Sequence, residues 1–295
     1  MTQRDGYLLA NAQPEAGARL AALSQLFDAS TFRHLEDVGI TAGWRCWEVG
    51  AGGPNVASWL SARVGGTGSV LATDIDLSWM AGPDVDGFEV LRHDVGVDEP
   101  PAGLFDLVHA RLVLVHVARR AEALASMIEV LRPGGWLLVE DADPTLQPLT
   151  CPDEHGPAQQ LANRLRNGFR ALLAERGADL AYGRTLPRLL REGGLVEVAA
   201  DAYFPVTSTA CAVLERTTVE QTRDRLVAGG LATDAEIDRH LAAVATGDLD
   251  LATSPMISAW GRKPRRRSRS GGGRNTTGRG RQRADAGRGG PAPGR

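Results

Sequence analysis

The sequence predicts an α/β protein built on a doubly wound, mostly parallel sheet. Three observations carry that expectation. Arg45-Cys-Trp-Glu-Val-Gly-Ala-Gly-Gly-Pro54 is a short apolar strand that ends in an acid and opens into a glycine-rich turn. Val70-Leu-Ala-Thr-Asp-Ile-Asp76 is a second apolar strand, and its tip, Asp74, falls roughly twenty residues beyond the turn, the spacing of a nucleotide-binding β-α-β unit. Further apolar strands then alternate with helical segments, the pattern of a sheet covered on both faces.

Along the chain, Ala16 to Phe27 places Leu20, Leu23 and Phe27 on one helical face, and Asp28 to Asp37 reads as a second short helix. A strand over 44–49 precedes the glycine turn, and a helix through 56–63 follows it. Gly65-Gly-Thr-Gly68 stops that helix and feeds the strand over 69–74. Phe88 to Arg92 and Phe105 to His109 read as the third and fourth strands. A helix from Arg119 to Leu131 ends at Pro133-Gly134-Gly135, and Trp136 to Glu140 is the fifth strand. Beyond Pro144 the pattern changes to helices over 157–176 and 186–191, two short strands at 195–199 and 202–206, helices over 211–228 and 234–245, and a last strand, Met256 to Trp260. This organisation divides into an N-terminal helical lid over 1–43, a ligand-binding domain over 44–264 with a lid insertion at about 145–190, and a tail over 265–295.

Composition narrows the function classes. The net charge of −3 over 295 residues hides an asymmetry: residues 261–295 hold twelve Lys and Arg against the single acid Asp285, which leaves 21 basic and 35 acidic residues before them. An acidic body argues against nucleic acid as the partner of the folded domain, although the Arg/Gly-rich tail, which lacks core-forming residues, could hold nucleic acid weakly. No apolar run approaches the roughly 20 residues of a membrane span. The first residues lack a signal-peptide pattern, and Cys46, Cys151 and Cys211 have no metal-like spacing, so a cytoplasmic protein with reduced thiols and no metal site is expected.

The chemistry gathers at the strand tips. A dinucleotide fingerprint would carry a third glycine where Asn55 stands, and Pro54 removes a backbone donor where a pyrophosphate would sit. Glu48, two residues before Gly50, disfavours a phosphate and favours a cationic ligand. Asp74 is placed to accept both hydroxyls of a ribose. S-adenosylmethionine satisfies all of these, with an ammonium, a sulfonium, a ribose and no phosphate. His109, His116, Glu140 and Asp141 lie near the carboxyl ends of strands four and five, where such sheets bind ligands, and the two histidines are the expected general bases because the ordinary imidazole pKa is about 6.5.

On Glu48-Val-Gly-Ala-Gly-Gly53, Ala72-Thr-Asp-Ile-Asp76, Arg92-His-Asp-Val95, Phe105-Asp-Leu-Val-His-Ala-Arg111 and Leu131-Arg-Pro-Gly-Gly135, the sequence resembles the class I S-adenosylmethionine-dependent methyltransferases. It is most similar to small-molecule methyltransferases of the ubiquinone/menaquinone-biosynthesis type common in actinobacteria. The resemblance implies a Rossmann-like sheet of seven strands, the last antiparallel, and helical lid segments. It implies that Gly50, Ala51 and Gly52 pack against the methionine and ribose of the cofactor, that Ile75 lies on the adenine, and that Asp94, flanked by His93 and Val95, accepts from the adenine amino group. Backbone around Ala110 and Arg111 would line the methionine moiety. Tyr7, Glu15 and Arg19 fall in a segment that closes over the cofactor in similar enzymes, and Arg19 is expected either to pair with the cofactor carboxylate or to form a salt bridge on the helix surface. The expected acceptor is a small hydrophobic or aromatic metabolite taking the methyl on oxygen or nitrogen rather than carbon, since 145–206 carries Phe169, Tyr182, Tyr203 and Phe204. The chain after strand four, Ala110-Arg-Leu-Val113, lacks the Pro-Pro-aromatic signature of DNA amino-methyltransferases. An NAD(P)-dependent oxidoreductase and a non-catalytic cofactor-binding protein with a nucleic-acid-binding tail are the rival readings. A monomer and a homodimer are equally compatible with the sequence.

Overall fold

The computed structural model describes residues 8–9, 15–80 and 87–265, which belong to one compact unit. Tyr7 and the tail over 266–295 lie outside the described residues. Seven strands, β1 (Arg45–Val49), β2 (Ser69–Asp74), β3 (Glu89–Arg92), β4 (Phe105–Arg111), β5 (Leu131–Ala142), β6 (Val196–Tyr203) and β7 (Met256–Arg262), form one sheet in the order β3-β2-β1-β4-β5-β7-β6. The first five pair in parallel, and β7 inserts antiparallel between β5 and β6. The expected seven-stranded, mostly parallel architecture is therefore present. The helices are α1 (Glu15–Asp37), α2 (Asn55–Val64), α3 (Arg120–Glu129), α4 (Pro157–Glu175), α5 (Leu186–Glu192), α6 (Thr209–Ala228) and α7 (Asp234–Thr246).

Strand periodicity of two divides the sheet residues between two cores. Trp47, Val49, Val108, Ala110, Leu137 and Val139 share one face with residues of α3 and α5. Cys46, Val70, Ala72, Leu107 and Leu138 share the other with Leu35 of α1 and Leu60 of α2. Glu48, His109 and Glu140 continue that second set, each two residues beyond an apolar member of its own strand, so all three point toward α1.

Three elements differ from the sequence expectation. The two short N-terminal helices are one helix of 23 residues, because Ala16, Arg19, Ala22, Leu26, Phe27, Thr31, His34 and Leu35 form one continuous buried stripe through Asp28. Pro133-Gly134-Gly135 does not turn between helix and strand but belongs to β5. Gly135 lies so close to the Phe105 and Asp106 carbonyls that a Cβ would sit 3.0 Å from them. The two strands expected at 195–199 and 202–206 are one strand, β6, with a register shift between Val196 and Ala199 where Glu197 adopts φ +54°. No helix among the described residues is long and apolar enough to cross a membrane.

Helices α4, α6 and α7 pack around a buried ionic cluster. Glu215 accepts from Arg166 and from His240 Nε2 at 3.0 Å. Burial opposes the Glu215 charge, but Arg166 and His240 outweigh it and hold its pKa at about 2, below the ordinary carboxylate value. An acid whose folded pKa is depressed contributes stability above its unfolded pKa and loses it as pH falls toward the folded value. Glu215→Ala is accordingly expected to cost about 3–5 kcal/mol at pH 7 by leaving the Arg166 charge buried without its partner. Chemical denaturation at pH 7 and pH 3 measures this, and the difference between variant and parent should shrink at the lower pH.

Candidate functional site

A cavity of about 1130 Å³ opens at the carboxyl ends of the parallel strands. Its floor is the turn from Val49 to Asn55 between β1 and α2, the tip of β2 at Asp74 and Ile75, and the loop from His93 to Val97 after β3. One wall is the N-terminal half of α1, and the opposite wall is α4 with Leu214 and Thr218 of α6.

The turn has its shape because two glycines adopt left-handed backbone. Gly50 and Gly52 both have φ +64°, where side chains are strained, and a Cβ on Gly50 would lie 2.4 Å from Val113 Cγ2. A Cβ at Gly53 would meet nothing within 4 Å, so the turn presents open backbone to the cavity there. Asp74 joins the two strand tips: its carboxylate accepts from the Gly52 N–H at 2.8 Å and the Asp76 N–H at 2.9 Å. Burial pushes the Asp74 pKa up, against those backbone N–H groups. Ile75 beside it is 49 % exposed and presents its apolar side chain to the cavity. Asp94 Oδ1 accepts from the Gly96 N–H at 2.9 Å, which fixes the loop that brings His93, Asp94 and Val95 to the cavity. A cradle with two left-handed glycines, a buried acid and an exposed apolar face fits an adenosyl group.

Arg19, Gly50, Ala51, Gly52, Asp74, Ile75, His93, Asp94, Val95, Arg111 and His116 all line the cavity. Glu48, Ala110 and His109 do not: Ala110 packs into the core on the far face, and the other two are buried beneath α1. His109 Nδ1 donates to Glu48 Oε2 at 2.6 Å and Nε2 to Glu140 Oε2 at 3.2 Å. Burial disfavours its charge, but the two carboxylates outweigh it and push the pKa up to about 9. A protonated imidazole with both nitrogens donating has no lone pair, so the expectation that His109 faces the reacting groups as a base is corrected to an internal ion-pair role. Glu48 is likewise corrected: its charge is spent on His109 rather than on a ligand.

Glu140 is the centre of that cluster. Besides His109 it accepts from Thr31 Oγ1 at 2.5 Å, His34 Nδ1 at 3.1 Å and Ser258 Oγ at 2.6 Å. Burial raises its pKa, but His109 and His34 hold it well below the ordinary value. Arg111 donates to Thr31 Oγ1 at 2.9 Å and Asp28 Oδ1 at 2.8 Å, so α1 is tied to the tip of β4 as well. Asp28, Thr31 and His34 were not foreseen. Their signal is a polar residue every three or four positions on the apolar stripe of an otherwise ordinary amphipathic helix.

The remaining base candidates separate by environment. Burial, against the backbone N–H groups of Val115 and Leu114, pushes the Asp141 pKa up to about 8, so it is a neutral acid at pH 7, and it does not line the cavity. His116 does. Burial, then the charges of Arg19 and Arg120, push its pKa down to about 4, leaving a neutral imidazole at the cavity wall.

A family model described as a methyltransferase domain matches residues 10–200, more than half of the chain. Methyltransferase str3 of Strobilurus tenacellus is 38 % identical over 93 residues, covering 30 % of this chain and 31 % of that protein. The ubiquinone/menaquinone biosynthesis C-methyltransferase UbiE of Pseudomonas putida is 34 % identical over 120 residues, 38 % of this chain and 47 % of that one. The chain thus spans less than half the length of these curated relatives. Among solved structures, phospholethanolamine N-methyltransferase 2 of Haemonchus contortus, in complex with phosphomonomethylethanolamine and S-adenosylhomocysteine, has a TM-score of 0.55 at 16 % identity, covering 90 % of this chain and 61 % of that one. The YcgJ protein of Bacillus subtilis has a TM-score of 0.52 at 13 % identity, covering 80 % of this chain and 99 % of its own. At these identities the structural likeness establishes a shared fold.

Removing His109 would leave Glu48 and Glu140 as two buried carboxylates without their common cation. His109→Ala is expected to cost about 3–5 kcal/mol, read from denaturant unfolding at pH 7. For the parent, a histidine whose folded pKa is raised contributes stability present below its unfolded pKa of about 6.5 and lost as pH rises through about 9. The thermal midpoint of the parent should fall over that interval, and His109→Ala should remove that part of the fall.

Proposed function

The chain belongs to the methyltransferase-domain family, and from that premise we propose that it transfers a methyl group from S-adenosylmethionine to a small hydrophobic acceptor, on oxygen or nitrogen rather than carbon. The carrying observation is that one cavity joins the Asp74 and glycine-turn cradle to an apolar wall on α4 and α6. When bound, the cofactor supplies an electrophilic methyl on its sulfonium. In this reading Asp74 takes the ribose hydroxyls, Ile75 and Val95 cover the adenine, and Asp94 accepts from its amino group. Arg19 takes the methionine carboxylate, beside the backbone of Gly50, Ala51 and Gly52. α1 and the segment over 145–190 serve as the covers that exclude water and align the acceptor, and proximity of this kind accounts for about 7–11 kcal/mol of a barrier in favourable cases.

The choice of oxygen or nitrogen rests on His116. A neutral imidazole whose conjugate acid has a pKa near 4 accepts a hydrogen bond from an O–H or N–H nucleophile throughout neutral pH, but it is too weak a base to take a proton from carbon. His116→Ala is expected to lower kcat by about 10²-fold or more on the accepted substrate. In the parent, the rate should not fall through His116 between pH 8 and pH 5, because its protonation lies near pH 4. A variant that keeps full turnover would remove His116 from the reaction.

Cofactor class is tested by calorimetric titration of the protein with S-adenosylhomocysteine and, separately, NADH. Micromolar binding of the first alone is expected, weakened about tenfold to a hundredfold in Asp74→Ala, the cost of losing charge-assisted hydrogen bonds to two hydroxyls. Binding of NADH alone would favour the oxidoreductase reading, against which Pro54 at the start of α2 already argues by its missing N–H.

A further inference from the structure

The wall that α4 contributes to the cavity is apolar and cationic at once. Arg166, Phe169, Arg170 and Leu173 fall at helical spacing on α4 and all line the cavity. No acidic residue among the described residues lines the part contributed by 142–256, although the body of the chain carries a large excess of acids. Arg166 and Arg170 are four positions apart on one helix face, where like charges repel. Arg166 has a counter-charge in Glu215. Arg170 has none in hydrogen-bonding or ion-pair reach among the described residues. Its Nη1 donates only to the Pro148 carbonyl and Asn167 Oδ1, both at 3.3 Å, and its Nε is sealed from solvent with no partner.

A half-buried guanidinium next to a second one, with no carboxylate paired to it and its Nη2 uncommitted among the described residues, is a cation that an anionic ligand in the cavity completes by a charge-assisted hydrogen bond. Burial and the neighbouring Arg166 also disfavour the Arg170 charge, a cost that an anion would relieve. Phe169 and Leu173 on the same face supply the apolar surface on which the rest of such a molecule would lie. We propose that the methyl acceptor is an apolar carboxylic acid, its carboxylate seated on Arg170 and its body on Phe169 and Leu173. This rests on the proposed function only in identifying the bearer of the carboxylate as the acceptor.

The test is calorimetric binding of octanoate, octan-1-ol and octyl phosphate to the full chain saturated with S-adenosylhomocysteine. Octanoate is expected to bind at least tenfold more tightly than octan-1-ol, a ratio that Arg170→Gln reduces to near one and Arg170→Lys reduces in part, because lysine keeps the charge and loses the fork. Unchanged affinity of both variants for S-adenosylhomocysteine verifies that they are folded. Equal binding of octanoate and octan-1-ol by the parent, or undiminished preference in both variants, overturns the proposal. A tenfold preference for octyl phosphate over octanoate overturns the carboxylate assignment. Failure of S-adenosylhomocysteine to bind the parent would instead overturn the methyltransferase reading, and the octanoate comparison made without it would still decide the anion site.

Discussion

The Glu140 carboxylate is the point on which the arrangement of this molecule depends. It lies on the strand that joins the parallel and antiparallel parts of the sheet, is 1 % exposed, and accepts four hydrogen bonds from three other elements. Four is also about the number of lone-pair positions a carboxylate offers, so the group is saturated. A buried anion of this kind costs several kcal/mol to desolvate and is tolerable only when each donor is in place. It therefore contributes little net stability while penalising every alternative packing of α1 on the sheet.

That penalty reaches the cavity because of how the sheet is registered. Glu48 is paired with His109 across β1 and β4, Glu140 with Ser258 across β5 and β7, and Ser258 with Asp201 across β7 and β6. With a side-chain period of two, these residues form a polar stripe across one face of the sheet. Thr31 and His34 of α1 dock onto that stripe, and His34 bridges Glu140 and Asp201. The C-terminal half of α1 is thereby fixed, and its N-terminal half, with Arg19, Leu20 and Ser24, is carried out over the cavity. A single helix thus serves as anchor at one end and cover at the other. The packing is close: a Cβ on Gly17 would fall 2.5 Å from the Trp79 ring.

Much of this was legible in the sequence, and the failures have a common cause. The glycine turn, Asp74 and Asp94 were readable because local backbone chemistry confines them: positive φ demands glycine, and an acid at a strand tip has few structural uses. The five parallel strands were readable because burial on both faces writes a continuous apolar run. His109 and Glu48 were assigned to the ligand because a charged residue near a strand's carboxyl end usually faces the site, and only register decides which face of the strand it takes. Glu48 and His109 fall on the α1 side beneath the helix, whereas Val49 on the other face, and Arg111 on the α1 face one pair further along β4, reach the cavity. The continuous α1 was missed because Asp28 reads as a cap in isolation, while its Arg111 partner lies 83 residues away.

The same reasoning separates the two histidines that the sequence could not distinguish. Both lie after β4 begins and both have an ordinary pKa near 6.5 in water, but His109 is fully buried while His116 is partly exposed at the cavity. His109 meets two carboxylates and is driven up to about 9, and His116 is driven down to about 4 by burial, with Arg19 and Arg120 adding to it. One is then a cation that holds the sheet to α1, and the other a neutral imidazole at the cavity wall. Burial and those two arginines thus keep His116 neutral at pH 7, where the paired carboxylates keep His109 charged.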